Sequence, residues 1–155
     1  MLGSTASQLA HRAERPLLVA RRTVDAKHFP QSILLATDGS PGSWAAARTA
    51  TGLAKAECSE LRLVYVPDGI HPERYREVLK QLTVIEKVTG SSPAVVDNPG
   101  HVAERIGEAA RAAQSSLIVI GRRGVRGLKA LGSVSERVVH RAPCSVLAVP
   151  AGSNA

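Results

Sequence analysis

Four aromatic rings are all that this chain of 155 residues carries: one Trp, two Tyr and one Phe. That scarcity argues against modules that grip single-stranded nucleic acid, which stack bases on aromatic side chains. Nucleic acid is therefore not an expected partner. Cysteine is nearly as scarce. Cys58 and Cys144 stand far apart, with no CxxC pair and no histidine cluster. This speaks against a disulfide framework or a structural zinc, and makes a reducing cytoplasm the expected compartment. Long apolar runs are missing too. Leu117–Ile120 is typical of those present, against the roughly 20 residues that cross a bilayer. The start of the chain (Gln8, His11, Arg12, Glu14, Arg15) has no secretory apolar stretch, so no membrane partner is expected. Acidic residues are the minority, 13 against 20 Lys plus Arg, and the net charge of +7 favours anionic partners without choosing among them.

Common nucleotide and nucleophile signatures are absent as well. There is no GxxxxGK[ST], no GxGxxG after the first strand of the main pattern, and no GxSxG elbow. Those absences exclude a P-loop, a dinucleotide fingerprint and a hydrolase of the elbow type. No general base stands visibly paired with a nucleophile, so the sequence is not read as an enzyme.

What is present is an ordinary apolar content of 44%, enough for one domain with a core. From residue 32 the chain alternates between short β-branched runs and longer helical ones. Ile33–Ala36, Leu61–Val66, Ala94–Val96, Leu117–Ile120 and Val146–Val149 read as strands, the inner ones apolar on both faces. A first helix opens at Ser40-Pro41, a cap followed by Pro at the first helical position. A second sets Tyr75, Val78, Leu79, Leu82, Ile85 and Val88 at helical spacing. A third follows Asn98-Pro99. A fourth starts at Ser133, with Glu136 placed for a capping box. The expectation is a doubly wound α/β fold, a five-stranded parallel sheet with helices on both faces.

The first 30 residues stand outside that plan, and an internal repeat accounts for them. Residues Leu2 to Leu18 align without gaps on Leu131 to Leu147 at an offset of 129, with seven identities in 17 positions. Residues 1–20 thus read as the last helix and strand of a preceding copy, 21–31 as a linker, and 32–150 as the domain. An unrelated helix and coil is the plainer alternative. The repeat makes Leu17–Ala20 the counterpart of Val146–Val149. The two are expected to pair antiparallel, within the chain or between chains, and to cover an edge that otherwise invites association.

Ligands of doubly wound sheets sit at the carboxyl ends of strands where the winding reverses. Two loops occupy such ends: Ala36-Thr37-Asp38-Gly39-Ser40, and Gly121-Arg122-Arg123-Gly124 running on to Gly132-Ser133-Val134. Glycines allow close backbone approach, a helix start adds unpaired N–H donors, and arginines add charge. The second loop reads as a phosphate cradle, or else as a tight loop with solvated arginines before a capped helix. Asp38 reads as a ligand or as a turn former. Cys144 reads as a small buried hydrophobe, and His28, His71 and His101 as surface residues.

Taken together, Ile33-Leu34-Leu35-Ala36-Thr37-Asp38-Gly39-Ser40, Leu63-Val64-Tyr65-Val66, Leu117 to Gly124, Gly132 to Val138 and Ala142-Pro143-Cys144-Ser145-Val146-Leu147 resemble the universal stress protein family, in family order. The resemblance implies a regulatory or stress-response module whose members in many cases bind ATP, here with Mg2+ carried by the nucleotide and no metal ligand from the protein. It implies that Ala36, Thr37 and Asp38 face adenosine and that Val66 lies beside adenine. It further implies that Gly121, Arg122, Arg123, Gly124, Gly132, Ser133 and Val134 hold the phosphates. Pairing through the terminal edge strand, as a homo-oligomer or as tandem domains, is also implied, so the chain is expected to be the second domain of a tandem-type member. One departure stands out: seven residues, Val125–Leu131, separate Gly124 from Gly132, fewer than the family's ATP motif has. A dimerisation or interaction module that binds no nucleotide is therefore the alternative reading, and a slow ATPase is a third.

Overall fold

The structure, a computed structural model, describes residues 13–21, 28–67, 72–90, 95–96, 101–122 and 132–152. The elements among them are β1 (Leu17–Val19), β2 (Ser32–Thr37), α1 (Pro41–Glu57), β3 (Glu60–Tyr65), α2 (Pro72–Thr89), β4 (Val95–Val96), α3 (Val102–Ala112), β5 (Leu117–Arg122), α4 (Ser133–Arg141) and β6 (Ser145–Pro150). The helix expected over the start of the repeat, and most of the expected linker, lie outside the described residues.

Strands β2 to β6 form the expected parallel set, and β1 adds to it antiparallel, giving the order β1-β6-β5-β2-β3-β4. The sheet is thus mixed, with the α/β class unchanged. Alternation along the strands divides the core into two. Leu34, Ala36, Ile118 and Ile120 face α3 and α4 with Ile106, Ala110, Val138 and Val139. Ile33, Leu35, Leu117 and Val119 face α1 and α2 with Ala46, Ala50, Val78 and Ile85. The alanines of α1 leave no side-chain bulk between helix and sheet, which lets that helix lie close against the central strands.

Helix α1 starts as the sequence indicates: Ser40 is its N-cap, its hydroxyl accepting from the Ser43 N–H, with Pro41 behind it. Two other expectations need correction. Helix α4 is capped by Gly132, with no side-chain capping bond, so Ser133 is already its first helical residue and the Ser133–Glu136 box does not form. The extended backbone of Gly132 completes the turn one residue earlier than the Ser-x-x-Glu pattern suggests. In α2 the buried residues are Val78, Gln81 and Ile85, whereas Tyr75, Leu79 and Val88 are exposed. The helix packs against α1 and the outlying β3, and so buries only a narrow stripe.

The antiparallel pairing of the first strand is found within the chain: Leu17 opposes Ala148, Leu18 opposes Leu147 and Val19 opposes Val146. Of the two pairings the sequence left open, within the chain and between chains, the structure shows the first, and the outer edge of β6 is occupied by the chain's own strand. Arg21 extends the attachment. Its N–H donates to the Ser145 hydroxyl at 3.0 Å, and its guanidinium donates to the carbonyls of Val139 and His140 at 2.9 and 3.0 Å. A cation thereby meets the carbonyl end of α4, where the helix dipole is negative. Arg21, placed in the linker by the sequence, is part of the docked segment.

Candidate functional site

The strand order reverses between β2 and β5: the chain winds outward through β3 and β4, then returns to β5 and β6 on the other side of β2. Ala36 pairs with Ile120, so the two loops singled out from sequence leave the sheet side by side. The topology therefore brings together the Thr37–Ser40 turn and Gly121. The starts of α1 and α4, partial positive ends of two helices, join them there.

At the end of β2, Asp38 shapes its own turn, one carboxylate oxygen accepting the Ser40 N–H at 3.0 Å. Gly39 holds a left-handed φ of +71°. A Cβ there would stand 2.4 Å from the Arg74 carbonyl oxygen, so only glycine fits beneath the first turn of α2. Thr37 is buried and does not present its hydroxyl to solvent. That hydroxyl accepts the Gly39 N–H at 3.2 Å and donates to the Gln81 side-chain oxygen at 2.6 Å. Ala36 and Val66 are buried in the core.

At the end of β5, Gly121 is held from both faces of the sheet. A Cβ would come within 2.5 Å of the Gly42 carbonyl oxygen in α1, and the Ser135 hydroxyl of α4 donates to the Gly121 carbonyl at 3.0 Å. This glycine is needed for packing whatever binds nearby. Arg122 corrects the sequence reading. It is the last residue of β5 rather than part of a solvated loop, and only 1% of it is exposed. Strand alternation turns it to the side of Ile118 and Ile120, where its guanidinium donates to the carbonyl of Ala13. Burial pushes its pKa down. The guanidinium is thus enclosed beside the N-terminal segment.

Arg123 and Gly124 lie outside the described residues, as does the shortened connection to Gly132. Past it, Gly132 is half-buried, whereas Ser133 and Val134 are exposed at the start of α4. The first turn of a helix leaves N–H groups without partners in the helix, so this end fits an anionic group. The Asp38 turn offers a carboxylate, an acceptor suited to sugar hydroxyls, while its Gly39 and Ser40 N–H groups are engaged within the turn. Among the described residues no group of three or more His, Cys, Asp or Glu is arranged to hold a metal ion. No helix among them is long and apolar enough to cross a membrane.

Gln81 is the residue that sequence reasoning missed. It is fully buried, and its nitrogen donates to the Ser43 hydroxyl at 3.0 Å. Its place between Val78 and Ile85, on the buried stripe of α2, was the available signal. The plainer readings hold elsewhere: Cys144 is buried, its thiol pushed up to about 11 by desolvation, and His28 and His101 are exposed. His71 lies outside the described residues.

The family model described as "Universal stress protein family" matches residues 30–150. A Thermus aquaticus protein named "Universal stress protein in QAH/OAS sulfhydrylase 3'region" is 37% identical over an alignment of 134 residues that covers 77% of this chain and 98% of that protein. A solved universal stress protein from Archaeoglobus fulgidus superposes with a TM-score of 0.78 at 23% identity, and covers 99% of this chain. This chain spans only 56% of the Archaeoglobus chain's length. A universal stress protein solved in complex with cAMP superposes with a TM-score of 0.64 at 22% identity, over 79% of this chain and 98% of that one.

Proposed function

The chain belongs to the universal stress protein family, and on that premise we propose that it is an ATP-binding module of stress regulation in the cytoplasm, working by occupancy rather than by turnover. The observation that carries this reading is the pairing, at one reversal of the sheet, of the Asp38 turn with the start of α4. The nucleoside would meet Ala36, Thr37, Asp38 and the end of β3 at Val66. The phosphates would meet Gly132, Ser133 and Val134, with Gly121 below them, and Arg123 and Gly124 are proposed as further phosphate contacts. Mg2+ would arrive on the phosphates. That a universal stress protein of the same fold was solved in complex with cAMP supports a nucleotide as the ligand. Arg122 is left out of the contact set because it is buried against Ala13.

Purified protein denatured and analysed by mass spectrometry should release adenine nucleotide, or should take it up when incubated with ATP and Mg2+. Protein that neither carries nor acquires nucleotide, yet keeps its fold, would favour the dimerisation or interaction module instead.

The pairing register bears on domain organisation. Leu18 opposes Leu147, its own counterpart in the repeat, so β1 and β6 meet as two copies of one strand about a two-fold axis. This supports reading residues 1–20 as the end of a preceding copy, 21–31 as a linker and 32–150 as the domain. A homo-oligomer built through β6 would then require β1 to leave. Deleting residues 1–21 should expose the β6 edge and raise the solution mass in light scattering. A monomer of unchanged stability would contradict that role.

A further inference from the structure

Gln81 lies in the middle of an 18-residue helix, on a different element from either loop of the candidate site, and no part of it is exposed. A buried amide is costly unless its oxygen and nitrogen both find partners. Here they do, and the partners form one directed path. The Gly39 N–H donates to the Thr37 hydroxyl at 3.2 Å, and that hydroxyl donates to the Gln81 oxygen at 2.6 Å. The Gln81 nitrogen donates to the Ser43 hydroxyl at 3.0 Å, and Ser43 donates to the Ser40 carbonyl at 2.8 Å. The path leaves the backbone at Gly39 and rejoins it at Ser40. Every hydroxyl on it accepts once and donates once, so the direction is consistent from end to end.

We infer that Gln81 is a positioning residue, a clasp that fixes the Thr37–Ser40 turn and so sets where Asp38 meets a nucleoside. The inference rests on the proposed nucleotide reading for what the turn binds. Two further contacts place the clasp at the turn rather than generally in the core. Gly39 abuts the first turn of α2 at Arg74, and Asp38 accepts from Ser40 inside the enclosed loop. Helix α2 therefore governs the turn through one contact of shape and one relay of hydrogen bonds.

Residue type matters for a stated reason. A methionine has nearly the shape of glutamine but can neither accept from Thr37 nor donate to Ser43. An ionised glutamate still accepts from Thr37 but has no proton for Ser43, whose hydroxyl must then turn away from Ser40. A protonated glutamate restores both directions.

The test compares the full chain with Gln81→Met and Gln81→Glu, titrated with three probes: ATP with Mg2+, adenosine, and inorganic tripolyphosphate. The amide exchange rate of Gly39 is followed in parallel. A clasp predicts roughly tenfold weaker ATP and adenosine binding in Gln81→Met, tripolyphosphate binding within twofold of wild type, and faster Gly39 exchange. Gln81→Glu should recover adenosine affinity as the pH is lowered while circular dichroism shows it folded throughout, whereas a purely stabilising glutamine would change affinity only together with the folded fraction. If Gln81→Met does not fold, the pH-dependent recovery in Gln81→Glu decides alone. Unchanged Gly39 exchange, or an equal loss for all three probes, overturns the inference. A wild-type chain that binds none of the probes overturns the nucleotide reading instead, and Gly39 exchange then decides the clasp by itself.

Discussion

The carboxyl ends of β2 and β5 are neighbours in the sheet, yet they are held by different kinds of contact. The end of β2 is set by polar chemistry, a relay through Thr37, Gln81 and Ser43 around a left-handed Gly39. The end of β5 is set by close approach: Gly121 lies against Gly42 with no room for a methyl group, and Arg122 turns away from the loop toward Ala13. The β5 segment has the richer sequence signal, glycines and arginines in a row. The structure shows that two of those residues, Gly121 and Arg122, already have packing roles. At β2, by contrast, the organising group comes from a distant helix and has no motif at all. A glycine beside an arginine marks close packing as readily as it marks an anion site.

The largest effect should come from Gly39→Ala. It adds a side chain to a left-handed residue and drives a Cβ to 2.4 Å from the Arg74 carbonyl oxygen, so strain and clash add. A loss of about 3 kcal/mol is expected, read from the midpoint of urea unfolding. Gly121→Ala has the clash, 2.5 Å to the Gly42 oxygen, with no left-handed φ to add to it. About 2 kcal/mol is expected in the same assay. A loss below about 0.5 kcal/mol would show that α1 can retreat, and the contrast between the two ends would weaken.

Arg122→Met should give the smallest change. It removes a charged donor to Ala13, but also the desolvation that burial imposes on the guanidinium, so the net loss should be about 1 kcal/mol and local. Amide exchange should quicken in β1, while tripolyphosphate affinity stays within twofold of wild type. Phosphate affinity that collapses in this variant would return Arg122 to the anion site and reverse the assignment made for it here.

Much of the frame is legible in the chain. β-branched runs mark the five parallel strands to within two residues at either end, Ser40-Pro41 marks the start of α1, and the repeat foretells the antiparallel strand. The misreadings have physical causes. Arg122 looks like a loop residue because it follows a glycine, but the two-residue period of β5 carries on through it and turns it inward with Ile118 and Ile120. Ser133 looks like a cap, but the glycine before it takes the extended conformation that ends the loop one residue sooner. Tyr75, Leu79 and Val88 look buried because periodicity reports a face and not its width. Gln81 carries no motif and is polar, yet it stands three residues after Val78 and four before Ile85 on the stripe that α2 buries. A polar residue at a core position is the signal to follow, since burial requires it to have partners.

The central claim is that the paired ends of β2 and β5 form one nucleotide site. It is tested most directly by calorimetric titration of the full chain with ATP and Mg2+. Binding should be saturable at one site per chain, and competed by adenosine and by tripolyphosphate separately, as expected of a site with a nucleoside end and a phosphate end. No heat at millimolar ATP, from protein shown to be folded and free of bound nucleotide, would contradict it.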